Sequence, residues 1–279
     1  LQALWSSLSG MTAGQDWLTS IAGNVANVQT PGYAQQGVSF ADELTAALPP
    51  SDTAWPVAAR YTPPGWRGGT GTYATQAESD FAQMPVRETG NPMDVAIDGP
   101  AFLLVRDANG RMLVTRAGNL AWSRQANGRL ALTTASGQQV LDTNRQPIYA
   151  PPGAVAGMGA GQGTGGVASS LKIDANGQIH WGNLTGPTIA LVDVPLPSQS
   201  LEPVGANAYA LRPGWTLRAA QTGQGSGQSS LRQGALNQSN VDLTDAMSQI
   251  IEAQRLFELN AEALQLTNRM MSTADEIHL

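Results

Sequence analysis

Apolar residues recur three, four or seven positions apart at both ends of the chain. Leu1, Leu4, Leu8, Met11, Leu18, Ala22 and Val25 form one set; Leu243, Ala246, Ile250, Ala253, Phe257, Leu264, Met271 and Ala274 form the other. This spacing places a narrow apolar stripe along one side of a helix. It predicts helices over 1–30 and 241–279. The second stretch has no Gly or Pro in 39 residues, in a chain that carries 31 Gly and 17 Pro. Pro31 and Gly32 end the first. Fully helical, the two stretches measure about 42 Å and 58 Å. A single seam leaves a long helix marginal alone, so the stripes are expected to pair as a coiled-coil-like module.

Between them the pattern changes. Residues 31–90 lose helical periodicity and read as an extended connector, with Pro, Gly and Thr concentrated over 49–72. Over 91–220, short apolar runs at 93–97, 101–105 and 112–115 alternate with turn residues, the mark of an all-β domain. Asp107-Ala108-Asn109-Gly110-Arg111 recurs in similar form at 125–129 and 174–178. Each copy reads as a hairpin turn in which Asn and Gly both tolerate positive φ. Residues 221–240 read as a linker. The fold class predicted is α+β: a mainly antiparallel β domain flanked by long terminal helices.

Apolar residues make up 42% of the chain, enough for a core, while charged residues are only 13%. The net charge of −6 and the lack of any basic run argue against a nucleic-acid partner. Residues 1–59 hold four acids and no base, and residues 241–279 hold seven acids against two bases. The middle is slightly basic, a bias that could draw end against middle but is screened beyond about 10 Å. With no cysteine there is neither a disulfide framework nor a thiolate metal site. No apolar stretch reaches 18 residues, so membrane insertion is not expected, and the amino end lacks the features of a cleaved secretion signal.

The residues give little for catalysis. His180 and His278 are the two histidines, too few for a histidine metal site or a Ser-His-Asp triad. Asp94 and Asp98 would sit about 13 Å apart along a strand, too far for a glycosidase pair. The Gly-rich stretch 153–166 lacks the following Lys-Ser/Thr of a phosphate loop and reads as a mobile surface loop. No catalytic, cofactor or metal site is expected, and the chain reads as a non-enzyme. Seven Trp in a β-rich chain leave a carbohydrate-binding protein with a helical hairpin as a minor alternative.

The first helix runs into Asn24-Val25-Ala26-Asn27-Val28-Gln29-Thr30-Pro31-Gly32-Tyr33. This segment resembles the signature of bacterial flagellar rod and hook proteins, and the similarity spans most of the chain. Leu236 to Leu243, including Ser239, Asn240 and Val241, and the stretch around Gln254 and Arg255 resemble the carboxyl-terminal pattern of that family. Residues 92–102 and 115–120 resemble its central strands. Asn237 and Ala246 stand where relatives often carry an acid. Overall length is closer to a distal or proximal rod protein than to a hook-type subunit.

The resemblance implies a structural subunit of the flagellar rod, located in the basal body after export across the cytoplasmic membrane. It implies self-association into a helical polymer that transmits torque to the hook. The implied partners are neighbouring rod and hook subunits, the flagellar export apparatus and surrounding ring proteins. Leu4, Leu8, Met11, Leu18, Val25, Ile250, Phe257, Leu264 and Met271 are expected to carry the assembly interface. The family-motif positions are Asn24, Ala26, Asn27, Thr30, Pro31, Gly32, Tyr33, Ser239, Asn240, Val241, Gln254 and Arg255. An intramolecular hairpin that only staples the domain is the competing reading for the helices.

Overall fold

A computed structural model describes residues 2–42, 45–47, 67–69, 72–125, 128–151, 171–182, 184–223 and 228–277. The chain divides into two compact units: Leu1–Ala26 with Gln36–Glu78 and Asp242–Leu279, and Asn27–Gln35 with Ser79–Val241. The first is the helical unit and the second the β unit. The Gly-rich stretch 153–166 lies outside the described residues.

In the helical unit the amino helix is Gln2–Ala26 and the carboxyl helix Leu243–Ile277. The amino helix ends at Ala26, before the expected residue 30, and the carboxyl helix starts at Leu243 rather than at 241. The carboxyl helix starts after Asp242, whose Oδ1 accepts the N–H groups of Thr244 at 2.7 Å and Asp245 at 3.3 Å. These bonds to free helix-end donors pull the Asp242 carboxyl below its usual range. No described helix is long and apolar enough to cross a membrane. Strand Gln36–Asp42 pairs with Thr72–Ser79, and Thr45–Ala47 pairs antiparallel with Arg67–Gly69. The segment expected as an extended connector thus contributes several strands, with turn and irregular chain between them at 31–35 and 80–85.

The β unit is built from antiparallel ladders. Its main sheet has nine strands and is centred on Phe102–Arg106, which pairs with Met112–Thr115, Gln139–Val140 and Leu191–Asp193. Side chains alternate across this strand. Leu103 and Val105 enter one core with Val95, Leu132 and Ile179, while Phe102 and Leu104 enter a second with Val114, Leu141 and Tyr209. A strand covered on both faces needs an unbroken apolar run, which is what residues 101–105 supply. Leu171–Ile173, Gln178–Trp181 and Leu184–Thr188 form a separate three-stranded sheet. Within it His180 bonds Asp174 at 3.0 Å, an ordinary structural role.

Two features differ from the sequence reading. Ser230–Gln233 and Ala235–Asn237, in the expected linker, pair with Val95–Asp98 and Val86–Glu88. In the Asn-Gly hairpins, Gly110, Gly128 and Gly177 take positive φ, but Asn109 and Asn176 do not. Gly110 N–H donates to Asp107 O at 2.9 Å, closing a turn in which glycine alone supplies the left-handed residue.

Candidate assembly surfaces

The helical unit sets its two helices side by side. A Cβ on Gly10 would come within 2.9 Å of Asn260 Nδ2, and one on Gly14 within 4.0 Å of Leu256 Cδ2. Moving up one helix by four residues moves down the other by four, so they run antiparallel. The fully buried positions are mostly small: Ala13, Gly14, Ile21 and Asn24 on the amino helix, Ala246 and Ala253 on the carboxyl helix. Small side chains let helix axes approach closely.

The large residues expected at the assembly interface are less covered in the separate chain. Met11, Leu18, Val25, Ile250 and Leu264 are half-buried, and Leu8 and Phe257 are exposed. The side chains of Leu4 and Met271 fall outside the described residues. A second apolar set, Met247, Ile251, Leu259, Leu266 and Met270, is exposed on the carboxyl helix. At about 100° per residue it falls on the side turned away from Ala246 and Ala253. The carboxyl helix is therefore covered on one side by small residues, while its other side carries exposed large apolar residues interleaved with Arg255, Glu258, Glu262 and Arg269.

Asn24 closes the helical unit around the returning chain. Its Nδ2 donates to Gln36 O at 2.7 Å and its Oδ1 accepts Gln36 N–H at 2.9 Å. Ala26, Gln254 and Arg255 are exposed.

The rest of the motif folds into the β unit. Thr30 N–H donates to Asn27 O at 3.0 Å, and Thr30 Oγ1 to Asn27 Oδ1 at 3.1 Å, making a tight turn. Gly32, at φ 69°, lies so close to the Arg116–Ala117 peptide that a Cβ would meet Ala117 N at 2.5 Å. Its N–H donates to Asn237 O at 2.9 Å, and Asn207 Nδ2 donates to Pro31 O at 3.1 Å. Asn240 joins two segments: Oδ1 accepts Gln35 N–H at 2.8 Å, and Nδ2 donates to Asp80 O at 2.9 Å. Tyr33, Ser239 and Val241 are buried. The motif residues thus order backbone; they do not present chemistry.

Sequence reasoning missed three contributors. Asn237 bonds both backbone groups of Ile97, at 2.7 and 2.9 Å. Gly118 admits the Val95 carbonyl. Arg116 is buried, with its guanidinium 4.7 Å from the Phe102 ring centroid and donating to the carbonyls of Phe81, Ala82 and Pro100. Arg116 and Gly118 both stood in the family-like segment 115–120, which was the available signal.

Burial pushes the Tyr209 hydroxyl from 10.0 up to about 12, and raises Tyr33 too. The unfolded phenol loses its proton first, so stability is whole below pH 10 and falls as pH climbs towards 12. Desolvation lowers Arg116 to about 10, which acts in the opposite sense over that window. Tyr209→Phe should therefore lose less stability than the parent between pH 10 and 12, read from urea midpoints along an alkaline series.

A groove of about 410 Å³ opens beside the motif turn, lined by Asn27, Thr30, Tyr33, Asn119, Ser136 and Asn207 among others. No carboxylate, imidazole or amine is among its lining residues; its titratable groups are the phenols of Tyr33 and Tyr209.

Comparison with known proteins accords with this arrangement. Residues 232–277 match the family described as flagellar basal body rod FlgEFG protein C-terminal. The flagellar basal-body rod protein FlgG of Bacillus subtilis (strain 168) is 31% identical over 287 residues, covering 99% of this chain and 96% of that protein. FlgG of Borreliella burgdorferi is 28% identical, covering 99% of this chain and 98% of that protein. The flagellar hook-basal body complex protein FlhP of Bacillus subtilis is 25% identical, with 99% of both chains covered. On residues that run from the helix-exit motif to the carboxyl helix, the chain belongs to the flagellar basal-body rod protein family.

Proposed function

We propose that this chain is a structural, non-enzymatic subunit of the bacterial flagellar rod, self-assembling through its terminal helices into an axial polymer of the basal body. Its inner helix faces pair as a coiled-coil-like module. The bare face of the carboxyl helix is then covered by a second copy of the chain. Leu4, Leu8, Met11, Leu18, Val25, Ile250, Phe257, Leu264 and Met271 carry the packing in this reading. The polymer transmits torque to the hook and meets neighbouring rod and hook subunits, with the export apparatus and surrounding ring proteins as further partners.

The observation that carries this reading is the set of large apolar side chains exposed along the carboxyl helix. Met247, Ile251, Leu259, Leu266 and Met270 stay in water while the opposite face is closed by small residues. Several large apolar side chains exposed along a helix whose other side is already packed call for a further partner. The relatives' names, rod and hook-basal body proteins, supply the context. The carbohydrate-binding alternative finds less support, since Trp122 and Trp181 are buried in the core.

Electron microscopy of the purified chain at high concentration tests the proposal. Straight helical tubes are expected from the parent. Ile251→Asp combined with Leu259→Asp should abolish tubes while leaving helix content by circular dichroism unchanged. A parent that stays monomeric at every concentration, with its helix amides protected from exchange, would favour the intramolecular hairpin and overturn self-assembly.

A further inference from the structure

Among the described side chains, two thioethers are exposed on the outer side of the carboxyl helix. Met247 is 55% exposed and Met270 is 58% exposed, one near each end of the apolar set. Elsewhere Met84 and Met93 lie in the β-unit cores at 2% and 7% exposure, and Met112 is 45% exposed on a strand of that unit. Exposure decides which thioethers an oxidant reaches, and position decides what oxidation does.

We propose that Met247 and Met270 are oxidation sites through which a hydroperoxide blocks association of the carboxyl helix with a second copy of this chain. The thioether sulfur attacks one peroxide oxygen, the O–O bond breaks and an S–O bond forms. Sulfur loses two electrons; with hydrogen peroxide the departing hydroxide takes the proton from the oxygen now bound to sulfur and leaves as water, so the sulfoxide is neutral. The product sulfoxide is a strong hydrogen-bond acceptor. On a face whose neighbours are Ile251, Leu259 and Leu266 it has to be desolvated among apolar side chains when a second copy covers it. In the separate subunit both positions remain in water, so the helix pair itself is left intact. The effect is specific to association and is reversed by methionine sulfoxide reductases.

This inference rests on the self-assembly reading above. The test treats the full chain with graded hydrogen peroxide, locates sulfoxides by peptide mass spectrometry and measures the assembled fraction by sedimentation. Met247 and Met270 should oxidise well before Met84 and Met93, with circular dichroism unchanged. The concentration needed for assembly should rise about tenfold or more, and reductase treatment should restore it. Met247→Leu with Met270→Leu should assemble equally with or without peroxide, whereas Gln at both positions should imitate the oxidised chain. Full assembly after complete oxidation overturns this inference alone, as does a Leu double variant that stays peroxide-sensitive. An untreated chain that never assembles overturns the self-assembly reading and this inference together.

Discussion

Gly118→Ala should prevent stable folding of the β unit, with a loss of about 4 kcal/mol or more, beyond what most single substitutions cause. The cause is space, because Gly118 is not among the residues with positive φ. A Cβ there lands on the Val95 carbonyl oxygen, while Val95 N–H donates to Gly118 O at 2.9 Å. Two backbones cross in direct contact, and neither can withdraw without dragging Val95 and Ile97 out of the core. Urea unfolding followed by the fluorescence of Trp122 and Trp181 would read the loss. Gly23→Ala serves as the contrast: a Cβ there meets nothing within 4 Å, and a helical site should tolerate or gain from alanine. A Gly118→Ala chain with an unchanged urea midpoint would refute the packing argument.

Arg116→Ala is the second large effect, at roughly 3–5 kcal/mol. The substitution strips donors from three carbonyls, at Phe81, Ala82 and Pro100, and opens a void beside Phe102. Those carbonyls come from segments on either side of the turn at Gly99, so the guanidinium holds together chain that no ladder joins directly. Arg116→Lys should recover only part of the loss, since an ammonium cannot reach three acceptors in one plane or lie flat over the ring. Thermal unfolding of the three chains should rank them parent, Lys, Ala. A Lys variant indistinguishable from the parent would mean that charge, rather than the planar fork, is what the site requires.

The elements with local signals were legible in the sequence. Both helices follow from their 3.6-residue period, and Phe102–Arg106 and Met112–Thr115 from short apolar runs. The helix-exit motif was legible as a motif, yet its physical role was not. Gly32 and Asn240 bond backbone groups far away in sequence, as in the bond from Gln35 N–H to Asn240, 205 residues apart. Strands Ser230–Gln233 and Ala235–Asn237 were hidden for the same reason: their partners are distant, and Gly, Ser and Gln beside them imitate a linker. On the carboxyl helix, spacing identified apolar positions but could not separate the small covered set around Ala253 from the large bare set around Ile251. Periodicity records that a side is apolar; it does not record which partner covers it.

The ladders joining residues 86–98 to 230–237 also set the order of events in time. Ile97 finds its Asn237 partner 140 residues away in sequence. Non-local pairings of this kind come late, since the entropy of closing the loop must be met before the contact forms. The first strands can collapse as soon as they are free, but the edges beside Val86–Glu88 and Val95–Asp98 stay unpaired until the last sixth of the chain arrives. Whichever end enters a new compartment first, the β unit waits, unfinished, for the other.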